Sequence, residues 1–170
     1  MNQTAPPYDA VIAAPFGAVG ISVRGVQVSI DLLSQQSTEK LATHKLVASL
    51  SQQVAHYLHN AQHEFNLPLV YKGTPYQRLV WQAISAIPRG QVLTYSEIAA
   101  QIGSGPRAVA NACGANHLPL VIPCHRVVAK SGLGGFMKGV DGGLEIKKWL
   151  LKHEGVAFKN NKPIKPTRDE

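Results

Sequence analysis

Two cysteines among 170 residues are too few for a disulfide framework, which points to a reducing compartment. No apolar run approaches membrane-spanning length, so no membrane partner is expected. Residues 1–10 are polar and proline-containing, without the basic start and apolar stretch of a secretion signal. A soluble cytoplasmic protein is the expectation. No internal repeat is present, which excludes solenoids and propellers. Acids are scarce, ten against seventeen Lys/Arg, and the imbalance is local. Residues 1–71 carry three Lys/Arg and four acids, whereas residues 72–170 carry fourteen and six. A basic half favours a polyanionic partner, nucleic acid first, with a merely solvated basic face as the alternative.

At 45% hydrophobic, 170 residues supply a real core for one ordinary domain or two small ones. Residues 11–14, 18–23 and 26–33 read as short strands separated by Pro15-Phe16-Gly17 and Arg24-Gly25. A helix follows over about 45–64, ended by Asn66-Leu67-Pro68, and 69–72 is a linker or a further strand. Residues 1–70 are therefore expected to form a small α/β domain.

The second part reads as mostly helical. Thr74 is an N-cap with Pro75 at the first helical position, and Tyr76, Leu79, Val80, Ala83, Ile84 and Ile87 follow at helical spacing. Pro88-Arg89-Gly90 stops that helix. Thr94 caps another through Ile102, Gly103-Ser104-Gly105 turns the chain, and Pro106 opens a third helix to about Asn116. A last helix spans about 143–154, with Gly155 as its stop. The span 71–158 is expected to be one domain and 159–170 a basic, disordered tail.

Residues 94–116 have the outline of a helix-turn-helix. Its second helix is unusual, because Ala108, Ala110, Ala112, Gly114 and Ala115 offer no long side chains to base edges. Small residues let a helix backbone approach a surface closely, and the minor groove is only about 6 Å wide with a degenerate code. Arg107 is the one long cation at the start of this helix.

The run Ile122-Pro123-Cys124-His125-Arg126-Val127 carries the chemistry. A thiol becomes a strong nucleophile as thiolate, and a neighbouring base or cation produces thiolate near neutral pH. Three other readings compete. Cys113, His117, Cys124 and His125 are four candidate zinc ligands, although an adjacent Cys-His pair chelates poorly. His56, His59, His63 and Glu64 would share a helical face as a metal set or a solvated surface. A cysteine hydrolase would use Cys124 and His125, but no distant histidine with an orienting asparagine is evident.

Several stretches then resemble one family, the O6-alkylguanine-DNA alkyltransferases, or methylated-DNA–protein-cysteine methyltransferases. They are Gly73-Thr74-Pro75-Tyr76-Gln77, Val80-Trp81-Gln82-Ala83, Ile87-Pro88-Arg89-Gly90, Thr94-Tyr95-Ser96-Glu97-Ile98-Ala99, Arg107-Ala108-Val109, the run 122–128, Lys148-Trp149-Leu150-Leu151 and His153-Glu154-Gly155. Their joint occurrence over 73–155 is more specific than any one of them. The resemblance implies a ribonuclease-H-like α/β domain before a mostly α domain with a helix-turn-helix, and no cofactor or metal. It implies a monomer that binds duplex DNA in the minor groove with little sequence preference, flips O6-alkylguanine out of the stack, and moves the alkyl group irreversibly to its own cysteine. O4-alkylthymine is a second implied substrate.

By the same resemblance Cys124 is the alkyl acceptor, His125 the base acting through a water, and Glu154 the carboxylate that orients it. Tyr95 contacts the flipped base, Arg107 fills the vacated stack, and Asn116 ties the recognition helix to the cysteine turn. Ala108 and Ala110 line the DNA face. Val127, by its carbonyl, and Phe136 line the base pocket. Arg126 is read as structural. Taken alone, Glu154 would read as a surface acid balancing Lys147, Lys148 and Lys152. A binding-only damage sensor on the same scaffold is disfavoured by Cys124, since that branch lacks the nucleophile. Two departures stand out: the turn before Arg107 is about two residues shorter than usual, and the loop over 135–143 is about three longer, with Phe136 where tyrosine is common. Alkyl-group preference is expected to differ accordingly.

Overall fold

The computed structural model describes residues 8–69, 71–136 and 141–165. The chain divides into two compact units, Met1–Lys72 and Gly73–Glu170.

In the first unit two tight turns fold residues 10–33 into an antiparallel sheet, β1 (Ala10–Ala14), β2 (Gly17–Arg24) and β3 (Gln27–Leu33), in the order β1-β2-β3. The register pairs Ala14 with Gly17 and Arg24 with Gln27, so each link is two residues long. Gly17 has φ +146°, and a Cβ there would lie 2.1 Å from the Leu33 carbonyl oxygen, so only glycine closes this corner. Val28, Ile30 and Leu32 alternate inward along β3, the period a half-buried strand requires. Helix α1 (Lys45–His59) covers the sheet with Val47, Leu50, Val54 and Tyr57. It stops five residues short of the expected end. Asn60 leaves helical geometry and its Oδ1 accepts from the Gln62 N–H at 2.9 Å, a local turn that competes with the helix. His56 stacks on His63 at 5.6 Å, but His63 and Glu64 lie beyond the helix, so the proposed four-residue helical face does not exist.

The second unit begins with α2 (Pro75–Ser85), where Thr74 and Gln77 form a capping box around Pro75. The same device, Thr94 with Glu97, starts α3 (Tyr95–Ile102), which ends on Gly103 in the left-handed conformation. Three residues later α4 (Pro106–Gly114) begins. Tyr76 hydroxyl bonds Ser104 Oγ at 2.7 Å, tying the α3–α4 turn to α2, and Trp81 Nε1 donates to the Ala112 carbonyl at 2.9 Å, tying α4 to the same helix. A 3-10 turn, Cys124–Arg126, leads into β5 (Val127–Val128), which pairs in parallel with β4 (Leu93–Thr94). Helix α5 (Gly143–His153) packs behind that turn, and Val92, Val128, Leu151 and Val156 form a small core around it.

The expected disordered tail is partly ordered: Phe158–Lys159 (β6) and Lys162–Pro163 (β7) pair as a hairpin, with Phe158 packed on that small core. An aromatic anchor offsets the entropy that the polar, lysine-rich composition favours. Residues 166–170 of the tail and 137–140 of the long loop lie outside the described residues. No helix among the described residues is long and apolar enough to cross a membrane.

Candidate active site

Cys124 opens the 3-10 turn and is 6% exposed. Buried Leu120, four residues upstream, has φ +77°, a conformation costing about 1–3 kcal/mol for such a residue. The apolar run 118–122 therefore bends sharply at Leu120. Asn116, just past α4, holds the result in place. Its Nδ2 donates to the Ile122 carbonyl at 2.9 Å and to Cys124 Sγ at 3.1 Å, and its Oδ1 accepts from the Leu118 N–H at 2.9 Å. These three bonds join Asn116 to the cysteine turn, and α4 ends two residues earlier than the sequence reading placed it.

His125 is 1% exposed. Its Nε2 lies 2.9 Å from Glu154 Oε1, though off the line that a well-aligned hydrogen bond requires. Burial pushes the imidazole pKa down, against the pull of Glu154, so His125 is neutral near pH 7 and able to take a proton. Glu154 is the C-cap of α5 and is buried, not the surface acid that its lysine-rich surroundings imply. Arg126 explains how it survives there: Nε donates to Oε1 and Nη2 to Oε2, both at 2.9 Å, while Nη1 donates to the Ile87 carbonyl at 2.8 Å. Burial alone would raise the carboxyl, but the charges and hydrogen bonds of His125 and Arg126 hold it well below the usual range. With His125 neutral, Arg126 is the permanent counter-charge.

Cys113, in the last turn of α4 after buried Ala112, is the chain's other free cysteine and is half-buried. The influence of Cys113 and burial hold the Cys124 thiol above its ordinary value, while the Asn116 amide and the Lys147 charge oppose them. Cys124 therefore rests protonated, and a base must accept its proton for it to react. Pairing β4 with β5 sets Tyr95 beside this turn, and the Tyr95 hydroxyl donates to the Gly135 carbonyl at 3.2 Å. Burial and the two thiols raise the phenol pKa, so it is a donor throughout the neutral range.

Lys147 is the site residue that sequence reading missed. It is fully buried, and its Nζ donates to the Val127 carbonyl at 2.7 Å and the Gly135 carbonyl at 2.9 Å. The ammonium also lies 5.9 Å from the Tyr95 ring centre and 5.8 Å from that of Phe136, close enough for cation–π attraction. A signal existed: Gly143, Ile146, Lys147, Leu150, Leu151 and Glu154 recur at helical spacing on the buried stripe of α5, whereas Lys148 and Lys152 do not.

Burial lowers the Lys147 pKa to about 8. The unfolded chain thus binds more protons between pH 8 and the ordinary lysine range, and the cost of the buried charge is relieved as pH rises through that window. Lys147→Met is expected to remove that pH dependence from thermal melts. It is also expected to slow alkylation of the Cys124 thiol by roughly tenfold or more, the equivalent of about 1.4 kcal/mol in a barrier. An unchanged time course by intact-protein mass would contradict a role at the site.

Arg107, Ala108 and Ala110 lie on the exposed face of α4, with Val109 and Ala112 turned inward. They are close in sequence to Asn116 but do not belong to its hydrogen-bond cluster. The Val127 carbonyl is engaged by Lys147, and the Cys124 carbonyl accepts the Val127 N–H. His117 packs edge-on against Trp81 at 5.7 Å. Among the described residues no group of three or more His, Cys, Asp or Glu side chains is placed to hold an ion.

A buried thiol, a neutral imidazole and an ion-paired carboxylate thus share one site, and α4 carries small alanines on its exposed face. Residues 75–156 match the family model for the 6-O-methylguanine DNA methyltransferase, DNA binding domain. A methylated-DNA–protein-cysteine methyltransferase of Methanothermobacter thermautotrophicus is 38% identical over 149 residues, which cover 86% of this chain and 81% of that protein. The constitutive enzyme of that name from Bacillus subtilis is 42% identical over 127 residues, 73% of this chain and 74% of its own. Among solved structures, Mycobacterium tuberculosis OGT in complex with DNA superposes with TM-score 0.70 at 32% identity, covering 85% of this chain and 90% of that one. The chain belongs to the methylated-DNA–protein-cysteine methyltransferase family.

Proposed function

We propose that this protein repairs DNA by direct reversal, taking the alkyl group from O6-alkylguanine, and in the same way from O4-alkylthymine, onto Cys124. The observation that carries the reading is the Cys124 thiol held at 3.1 Å by Asn116 in a buried turn whose next residue is a neutral, carboxylate-backed histidine. His125 accepts the thiol proton through a water, and Glu154 with Arg126 supports the imidazole as it becomes charged. Sulfur then displaces guanine: the S–C bond forms as the C–O6 bond breaks, and the base leaves as an anion. Tyr95, protonated by its burial, donates to that leaving group. The thioether product has no route back to thiol, so each molecule acts once.

The α3–α4 pair serves as a helix-turn-helix. Its α4 enters the minor groove through the small face of Ala108 and Ala110, and Arg107 fills the stack vacated by the flipped base. Val127 and Phe136 wall the base pocket beside Asn116. The basic second unit supplies non-specific, salt-sensitive affinity for phosphate. The protein acts as a monomer, and residues 1–70 are a ribonuclease-H-like scaffold without a catalytic role.

The test is intact-protein mass after mixing with duplex DNA containing O6-methylguanine. One methyl group per molecule, located by fragmentation on Cys124 and never exceeded at excess DNA, is expected. Bound DNA without a mass gain would instead assign a damage sensor.

A further inference from the structure

The β6–β7 hairpin has no task in the alkyl-transfer reading, yet several contacts fix it in place. Its two-residue turn is Asn160-Asn161, with φ +53° and +60°. Two successive left-handed residues are what a tight hairpin turn requires, and asparagine tolerates that geometry. Phe158 pairs with Pro163 across the strands, and Phe158 packs on the core of Val92, Val128, Leu151 and Val156. Side chains alternate between faces along a strand, so the other pair, Lys159 and Lys162, stands on the outer face, each directly opposite the other and exposed. The Ile164 N–H donates to the Ala157 carbonyl at 2.7 Å, and Lys148 Nζ donates to Asn161 Oδ1 at 2.6 Å. The Lys152 ammonium lies 5.6 Å from the Phe158 ring centre. Just past the hairpin, Lys165 Nζ bonds the carboxylate of Glu97 in the first turn of α3.

Like charges directly opposite on paired strands destabilise them, and among the described residues no acid pairs with Lys159 or Lys162. Folding alone therefore does not account for the pair, whereas a polyanion against it would offset the repulsion. The Lys165–Glu97 bond says which polyanion. It sets the end of the hairpin against the start of α3, the first helix of the α3–α4 pair, and neutralises an acid there that would repel phosphate. We propose that the β6–β7 hairpin is a second DNA-binding element, seating Lys159 and Lys162 on the phosphate backbone of the duplex whose minor groove α4 enters. This inference rests on the reading of α3–α4 as the DNA-facing pair. The contact is to phosphate alone, so it adds affinity and orientation without sequence preference. Because the hairpin is ordered before DNA arrives, little conformational freedom is lost when it binds. Each lysine–phosphate contact also releases condensed counterions, which makes the contribution measurable as salt dependence.

The whole protein and three double variants are titrated with a fluorescein-labelled, undamaged duplex over a series of salt concentrations. Undamaged DNA keeps alkyl transfer out of the measurement. For Lys159→Gln with Lys162→Gln, the plot of log affinity against log salt is expected to be shallower than for the wild type by about 1.8, ~0.9 for each lost phosphate contact. Affinity at ~0.1 M salt should fall by roughly tenfold or more. The melting temperature of this variant should be unchanged or higher, because a repulsion has been removed. Lys159→Arg with Lys162→Arg should keep the wild-type slope. Arg24→Gln with Lys45→Gln removes the same charge from the first unit and should also keep it. The proposal is overturned if the hairpin glutamine variant keeps the wild-type slope, if its change of slope comes with a lowered melting temperature, or if the first-unit variant loses as much slope. A wild-type slope in the hairpin variant, with methyl uptake from damaged duplex intact in the wild type, would remove this proposal and leave the alkyl-transfer reading standing. A wild type that binds no duplex would remove both.

Discussion

Cys124→Ala is expected to gain no methyl group from O6-methylguanine DNA at any ratio or time, while binding the same duplex as tightly as the wild type. The two halves of this expectation rest on different parts of the molecule. On the proposed reading, binding draws on the exposed face of α4 and on the basic surface, and neither includes the buried Cys124 side chain. Transfer needs the sulfur itself, since a water in its place would be a far weaker nucleophile than a thiolate. Cys113 makes the experiment demanding, because it is the chain's other free thiol and shares a tryptic peptide with Cys124. A methyl group on Cys113 in the variant would show that the site chooses its acceptor by proximity and not by the 3-10 turn. Fragmentation of the 108–126 peptide separates the two positions. Loss of DNA affinity together with transfer would mean that Cys124 holds the turn against α4, and the variant would then say nothing about nucleophilicity.

Much of this arrangement is legible before any coordinates. Capping boxes at Thr74 and Thr94, prolines at first helical positions and the left-handed glycine after Ile102 are local signals, and local signals place the starts of α2, α3 and α4. The strands of the first unit are likewise visible from alternation and turn residues. Contacts formed only in the folded chain were not legible. Nothing near Glu154 in sequence indicates that Arg126, 28 residues earlier, will grip it with two hydrogen bonds. Judged by its neighbours, Glu154 is a surface acid. Lys147 misleads in the same way, since lysine is almost never fully buried, although its place on the apolar stripe of α5 was there to be read. Leu120 carries no signal at all. A leucine with positive φ is imposed by packing around the bend that delivers Cys124. The family resemblance singled out Asn116 and Glu154 but gave no role to Lys147.

Arg126→Met is expected to lower stability at neutral pH by about 3–5 kcal/mol, the usual cost of leaving a buried charge without its partner. Methionine keeps much of the apolar stem and removes three hydrogen bonds, two to Glu154 and one to the Ile87 carbonyl. The pH dependence identifies the cause. In the wild type the Glu154 pKa lies below its unfolded value, so its contribution is present above about pH 4 and is lost as pH falls through the folded value. In the variant, burial acts without the guanidinium and raises the carboxyl pKa. Its folded form then takes up a proton before the unfolded chain does, and acid relieves the penalty. The stability gap between the two proteins is therefore largest near pH 7 and narrows toward pH 4. Urea unfolding across that range measures it. A gap of constant size would place the loss in the packing of the arginine stem and the Ile87 bond. A narrowing gap would make Arg126 the residue that keeps Glu154 ionised behind His125, and the transfer rate of the variant should then recover least where the carboxyl is protonated.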